Sequence, residues 1–298
     1  MDDKTKTPKH DPEAGWEPAF KAPDNACDAH FHVFGDERYG YGSDIRYKPP
    51  YEPVEDYLKL ARRIGFVRYV FVQPSAYGFD NSCMLDSMRT LDPAVRRGII
   101  DLDEKNTGDK ELADMNALGV RGIRVNISPI RKPEAGLADS MLPRIARLTK
   151  ICQELGWHLD FLTPGWLVSE LMPTLRELPI EYSVAHMGLF PAKDGPQQAG
   201  FQEFLRLVGD GSKRVWPKLT GIYRFSTAPG FADVKPIAQA LMDAVPDQLI
   251  WGSDFPHLSF HDKVGTIQLY NLLGEWAPDA GLRKKILADN PAKLFGFK

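Results

Sequence analysis

Cysteine is scarce in this chain. Cys27, Cys83 and Cys152 are the only three in 298 residues, and no two form a C-x-x-C pair. That excludes a cysteine-built zinc module and a disulfide-stapled small domain, and it makes a reducing cytoplasm the expected setting. Long apolar runs are absent: none approaches the roughly 20 residues that cross a bilayer, so no membrane partner is expected. An excess of one charge is absent too. The net charge of −3 offers no basic footprint for nucleic acid. No glycine-rich phosphate turn follows the first apolar run, where His32-Val33-Phe34-Gly35 stands instead; this argues against a doubly wound nucleotide-binding sheet. Residues 1–24 are polar and lack the apolar centre of a signal peptide, so they read as a flexible or wrapping arm.

What the chain does contain is a regular alternation. Short apolar runs at Ala26–Val33, Val67–Gln73, Arg97–Asp101, Arg121–Asn126, Trp157–Leu162, Glu181–Ala185, Val215–Thr220 and Gln248–Gly252 read as strands. Amphipathic stretches between them read as helices: Val54–Ile64, Ser82–Thr90, Lys110–Leu118, Met141–Leu155, Leu167–Glu177, Phe201–Val208 and Val234–Ala244. Two more, Val264–Trp276 and Leu282–Asp289, follow the last strand. Eight strand–helix repeats imply a parallel sheet closed into a single, distorted TIM (β/α)₈ barrel over residues 25–298, preceded by the arm. The Gly-, Tyr- and Pro-rich segment 34–53 reads as a loop over one barrel face.

In such a barrel the working side chains stand at the C-terminal ends of strands. The first strand carries His30 and His32, two residues apart and therefore directed to one side. The fourth carries Arg124, the sixth ends at His186, Tyr223-Arg224 follows the seventh, and Asp254 and His257 follow the eighth. Each has an ordinary reading as well. A histidine after a strand is often a hydrogen-bonded structural residue, Asp254 could cap a helix, and the arginines could be rim ion pairs. Their convergence on one face favours chemistry: imidazoles hold a metal or polarise an oxygen, and a carboxylate activates water.

Asp28-Ala29-His30-Phe31-His32, Ala185-His186-Met187-Gly188 and Trp251-Gly252-Ser253-Asp254-Phe255-Pro256-His257 together resemble the amidohydrolase superfamily. More narrowly they resemble its lactone-hydrolase branch, which opens pyrone-dicarboxylate and sulfomuconolactone rings. Gln73-Pro74-Ser75, Arg121-Gly122-Ile123-Arg124 and Asp289-Asn290-Pro291-Ala292-Lys293-Leu294 add to the match, which runs from Ala26 to the C-terminus. The resemblance implies that Asp254 deprotonates water while His30, His32 and His186 polarise a carbonyl directly or through one divalent ion, zinc being the expected choice. Those four residues would be its ligands. Arg124 and Arg224 would clamp acid groups of the substrate, with Ser75, Arg131 and His257 as further binding residues. No lysine occurs in Arg121–Asn126 to bridge two metals, so one ion or none is expected. The implied activity is hydrolysis of a small anionic lactone in aromatic-compound catabolism, by a monomer or small homo-oligomer. A metal-dependent non-oxidative decarboxylase of an aromatic acid, a sugar-acid lactonase, and a barrel that only binds an acidic ligand stand as alternatives. A pure binder has no need for Asp254 as a base.

Overall fold

Val54, Tyr57, Leu60, Ala61 and Ile64 recur at three- and four-residue spacings and form the buried face of helix α1, Val54–Ile64. Glu55 and Asp56 in its first turn and Arg62 and Arg63 in its last complement the helix dipole. Gly65, at φ 101°, closes the helix by donating its N–H to the Ala61 carbonyl. The same pattern of apolar strand and one-faced helix repeats around the molecule. The computed structural model describes residues 12–42, 45 and 49–298. Most of the arm's first half and part of the 34–53 loop lie outside the described residues.

The strands are β1 (Cys27–Phe31), β2 (Arg68–Val72), β3 (Arg96–Ile100), β4 (Val120–Asn126), β5 (His158–Leu162), β6 (Tyr182–Val184), β7 (Val215–Leu219) and β8 (Ile250–Trp251). They form one sheet in the order β1 to β8, and every pairing is parallel. All residues of β1, β2, β3, β5 and β7 are buried, as a parallel sheet covered on both faces requires. Around it lie α2 (Ser82–Arg89), α3 (Asp109–Leu118), α4 (Leu137–Leu155), α5 (Gly165–Glu177), α6 (Ala199–Val208), α7 (Lys235–Ala244) and α8 (Thr266–Trp276). Then come α9 (Ala280–Lys284) and α10 (Asn290–Phe295). This is the expected (β/α)₈ barrel. Helix α4 begins one turn earlier than its sequence pattern predicts, because Leu137 and Ala138 extend the buried face that continues at Met141.

The sheet closes where the segment after β8 runs beside β1. Asp254 N donates to His30 O at 2.8 Å, and His32 N donates to Phe255 O at 2.8 Å. Gly252 permits this approach, since a Cβ there would collide with His30. The β1–β2 register shifts between Asp28 and Phe31. Cys27 and Ala29 face the interior cluster with Val70, Val72 and Ile99, whereas Phe31 stacks outward on Tyr57 at 3.7 Å. The extra residue turns His30 and His32 into the barrel, the kind of re-aiming for which β-bulges are used.

The floor of the barrel is plugged by the chain's end. Arg97 donates to the carbonyls of Phe295 (2.8 Å) and Gly296 (2.7 Å), and its guanidinium lies 4.4 Å from the Phe297 ring. The described arm wraps α8: Glu13 accepts from the N–H groups of Thr266 and Ile267, and Phe20 stacks on Tyr270.

Candidate active site

Four side chains from three distant segments meet at the C-terminal mouth. His30 Nε2 lies 3.4 Å and His32 Nε2 3.2 Å from Asp254 Oδ1, and His186 Nε2 lies 3.9 Å from Oδ2. All four are buried. His186 and Asp254 both adopt left-handed backbone, at φ 54° and 58°, as does His257 at 59°. Non-glycine residues held there cost of order 1–3 kcal/mol each and cluster at functional sites. Gly221, itself at φ 58°, lets the His186 ring lie against its backbone, because a Cβ would occupy the space of Nδ1.

The other oxygen of Asp254 is also taken. Tyr223 donates its hydroxyl to Oδ2 at 2.5 Å, and Arg224 Nε donates at 3.0 Å. Burial by itself would raise the Asp254 pKa, but the Arg224 charge, then His186 and His32, outweigh it and hold the carboxyl well below its usual range. Burial pushes the imidazoles the opposite way. His186 falls to about 3 despite Asp254, and His30 falls far below its usual value through burial and then the Lys218 charge. His32 is lowered by burial against the opposing pull of Asp254. Its Nδ1 donates to the Val72 carbonyl at 2.7 Å, so Nε2 is the lone-pair atom of the neutral ring and faces a carboxylate oxygen.

The remaining predicted residues divide. Arg124 is buried inside the barrel, with Nη1 donating to Gln73 O at 2.7 Å and Nε 3.7 Å from Asp160 Oδ2. Arg224 reaches the mouth, its side chain 18% exposed. His257 lies against the edge of the Tyr223 ring at 5.6 Å, with Nε2 3.3 Å from Thr266 Oγ1; burial lowers its pKa to about 4. Ser75 is exposed at the start of a tight turn after β2. Arg131 is held by Glu134 at 2.6 Å on an exposed loop, apart from the histidine cluster in this conformation.

Two residues that the strand-end reading passed over lie directly beneath the histidines. Lys218 on β7 and Asp160 on β5 are completely buried and paired at 2.7 Å, and Ser183 donates to the same Asp160 oxygen at 2.6 Å. The Lys218 Nζ also lies 3.4 Å from His30 Nδ1. Asp160 is thus a further carboxylate near the site; Lys218 and Ser183 occupy its Oδ1, while Oδ2 is buried without a hydrogen bond among the described residues, 3.7 Å from Arg124 Nε. Burial opposes its ionisation, yet Lys218 and then Arg124 lower it to about 2. A charged residue in the middle of each strand run was the available signal. Tyr223 had no such signal beyond its place beside Arg224.

The spacing of His30, His186 and Asp254 would admit one cation, since their ligand atoms all lie within 4.8 Å of one another. The hydrogen bonding does not match. A ligating imidazole normally donates its second ring N–H to an acceptor. His32 does so, on Val72, but stands outside that spaced group. His30 is inside the group, but its second nitrogen faces an ammonium, and the His186 Nδ1 is buried without a partner among the described residues. Both donors on Asp254 Oδ2 further fill the carboxylate. No three of these groups combine ligand spacing with ligand hydrogen bonding.

Known proteins resemble this chain over nearly its whole length. A 4-sulfomuconolactone hydrolase of Rhizobium radiobacter is 36% identical over 283 residues, which are 93% of this chain and 92% of that protein. A 2-pyrone-4,6-dicarboxylate hydrolase of Comamonas testosteroni is 30% identical over 289 residues, 93% and 92% of the two chains. A solved structure from Acinetobacter baumannii, described as a "probable 2-pyrone-4,6-dicarboxylic acid hydrolase" with citric acid bound, is 27% identical. It superposes with a TM-score of 0.79 over 92% of this chain and 100% of its own. The family profile described as Amidohydrolase matches residues 27–297, from the first residue of β1 to the plug beneath the barrel. With histidines on β1 and after β6 and an aspartate after β8 in one buried cluster, the chain belongs to the amidohydrolase family.

Proposed function

We propose that this protein hydrolyses a small anionic lactone, of the pyrone-dicarboxylate or sulfomuconolactone class, in aromatic-compound breakdown. The observation that carries this reading is Asp254: a buried carboxylate with one oxygen held by Tyr223 and Arg224 and the other turned to the imidazoles at the barrel mouth. The two donors on Oδ2 fix the plane of the carboxylate, leaving Oδ1 to take a proton. A water hydrogen-bonded to Oδ1 would stand ready to attack, with the His32 lone pair, 3.2 Å from that oxygen, as a second acceptor beside it. Asp254 accepts a proton as the water oxygen bonds to the lactone carbonyl carbon. His30 and His186 lie where N–H groups meet the oxyanion that forms. The ring C–O bond then breaks, and the leaving oxygen takes a proton to give an open-chain hydroxy acid or its keto form. The leaving group stays tethered, so orientation weighs heavily. The low pKa of Asp254 weakens the driving force for proton abstraction, which places more of the burden on oxyanion stabilisation.

Arg224 at the mouth, with Arg124 deeper in the barrel, supplies the positive charge for the substrate's acid groups. Citrate bound in the Acinetobacter relative supports a polycarboxylate-sized anion. No step here requires zinc. A reducing, cytoplasmic setting is part of the same proposal, supported by three buried free cysteines. The test is a pH-indicator assay with 2-pyrone-4,6-dicarboxylate, 4-sulfomuconolactone, their neutral ester analogues and an aromatic acid. Acid release from the anionic lactones is expected. Carbon dioxide release from the aromatic acid, or equal turnover of the neutral esters, would overturn the reading.

A further inference from the structure

We infer that Lys218, anchored by Asp160, is a positioning residue that holds His30 with its proton on Nε2. The ring thereby becomes a hydrogen-bond donor to the reacting carbonyl and not a metal ligand. The role as donor rests on the lactonase reading above; the tautomer itself does not.

An ammonium has three donors and no acceptor. One hydrogen of Lys218 goes to Asp160 Oδ1 at 2.7 Å, and the Nζ lies 3.4 Å from His30 Nδ1. Asp160 is a carboxylate on every count of its partners: Lys218 and Ser183 donate to one oxygen, and the Arg124 guanidinium lies 3.7 Å from the other. The proton of the pair therefore sits on the lysine. Facing an ammonium, Nδ1 serves as the acceptor, because an N–H there would point donor against donor next to a positive charge. A neutral ring accepting at Nδ1 carries its hydrogen on Nε2. That atom is buried, has no hydrogen-bond partner among the described residues, and lies 3.4 Å from Asp254 Oδ1. A substrate oxygen would complete it.

His32, two residues along the same strand, is held in the opposite state, since its Nδ1–H is fixed on the Val72 carbonyl at 2.7 Å. The two histidines of the β1 motif are thus not two equal arms of a pincer. One presents a donor to the site and the other a lone pair. That suits one to the carbonyl oxygen and the other to the attacking water. It also accounts for a lysine deep inside a barrel strand, where an unpaired charge is costly.

Nitrogen-15 NMR of histidine-labelled wild-type protein at neutral pH, with His30→Gln and His32→Gln for assignment, reads both tautomers directly. Protonated Nε2 on His30 and protonated Nδ1 on His32 are expected; protonated Nδ1 on His30 overturns the inference. Calorimetric titration with zinc alone then compares wild type with the Lys218→Met/Asp160→Asn double variant, which removes both charges of the pair together. The variant should bind zinc at least about tenfold more tightly, and equal affinity overturns the claim that Lys218 keeps His30 from ligation. Should the double variant fail to fold, the wild-type spectrum still decides. On an anionic lactone, kcat of the folded variant should fall roughly a hundredfold with KM nearly unchanged. If wild type opens no lactone, the lactonase reading fails while the tautomer and zinc outcomes still judge Lys218.

Discussion

Asp254 at the barrel mouth and Asp160 a layer below are both buried aspartates beside a cation, and they do opposite jobs. Asp160 has Lys218 and Ser183 on one oxygen and Arg124 near the other, all sealed from solvent. Asp254 shares its charge with Arg224, which reaches the surface, and turns its second oxygen to imidazoles that carry no full charge. A third buried aspartate, Asp28, sharpens the contrast. Its hydrogen-bond donors among the described residues are neutral: the N–H groups of His30 and Ser253, the Ser253 side chain and the Tyr57 hydroxyl. Burial raises its pKa to about 6, with those hydrogen bonds opposing, whereas the cation-paired aspartates are depressed. Equal burial gives opposite titration depending on whether a cation is at hand, and of the two cation-paired aspartates only Asp254 turns an oxygen to the imidazoles at the mouth.

The sharpest break of this comparison is Asp254→Asn. The shape is kept and the base removed, so turnover should fall by two to four orders of magnitude, that is by roughly 100- to 10,000-fold, while circular dichroism shows the fold intact. Near-normal turnover would return Asp254 to the same class as Asp160. The mirror experiment is Asp160→Ala, which strands Lys218 in the interior. Urea denaturation should show a loss of about 3–5 kcal/mol; a loss below about 1 kcal/mol would mean that Lys218 does not depend on Asp160 for its place in the interior.

Arg224 tests the open side of the mouth cluster. Arg224→Met should lower kcat/KM for a diacid lactone by the equivalent of about 2–4 kcal/mol, a larger loss than for its neutral ester, which feels only the loosened Asp254. An equal loss for both would assign Arg224 to holding Asp254 alone.

Asp28 predicts a pH effect of definite sign. Its folded pKa of about 6 lies above the usual 3.8, so the folded state binds the extra proton between those values. The stabilisation from that proton is complete below about pH 4 and is lost as pH rises through about 6. Relative to Asp28→Asn, wild type should gain up to about 3 kcal/mol of stability on going from pH 7 to pH 4, measured by urea denaturation. A flat or inverted difference would show that Asp28 has a cationic partner after all. The smallest effect belongs to a carboxylate outside the barrel. Glu13→Ala removes the acceptor from the first N–H groups of α8 and should cost about 1 kcal/mol of stability with no change in kcat.

Much of this was readable before any coordinates. All eight strands fall within three residues of their apolar runs, and α1 matches at both ends, because hydrophobic periodicity is a local property of the chain. His30, His32, His186 and Asp254 were found by a rule about where strands end, and parallel barrel topology makes that rule dependable. The same rule missed Lys218 and Asp160, since mid-strand charges read as interruptions of an apolar run. Arg131, which the family resemblance added to the substrate binders, is paired on the surface with a glutamate three residues away.

What local pattern could not reach is the polarity of the contacts across the barrel. Lys218 meets Asp160 and His30 from 58 and 188 positions away, only because closure brings β7 across from β1 and β5. The bulge in β1 decides that His30 faces inward, and the Val72 carbonyl decides which nitrogen of His32 carries the hydrogen. Residue types and their order along the chain specify which groups are available. Which one donates, which accepts and which is left free depends on neighbours that exist only once the sheet has closed, because hydrogen bonds act over about 3 Å and carry no trace in sequence separation.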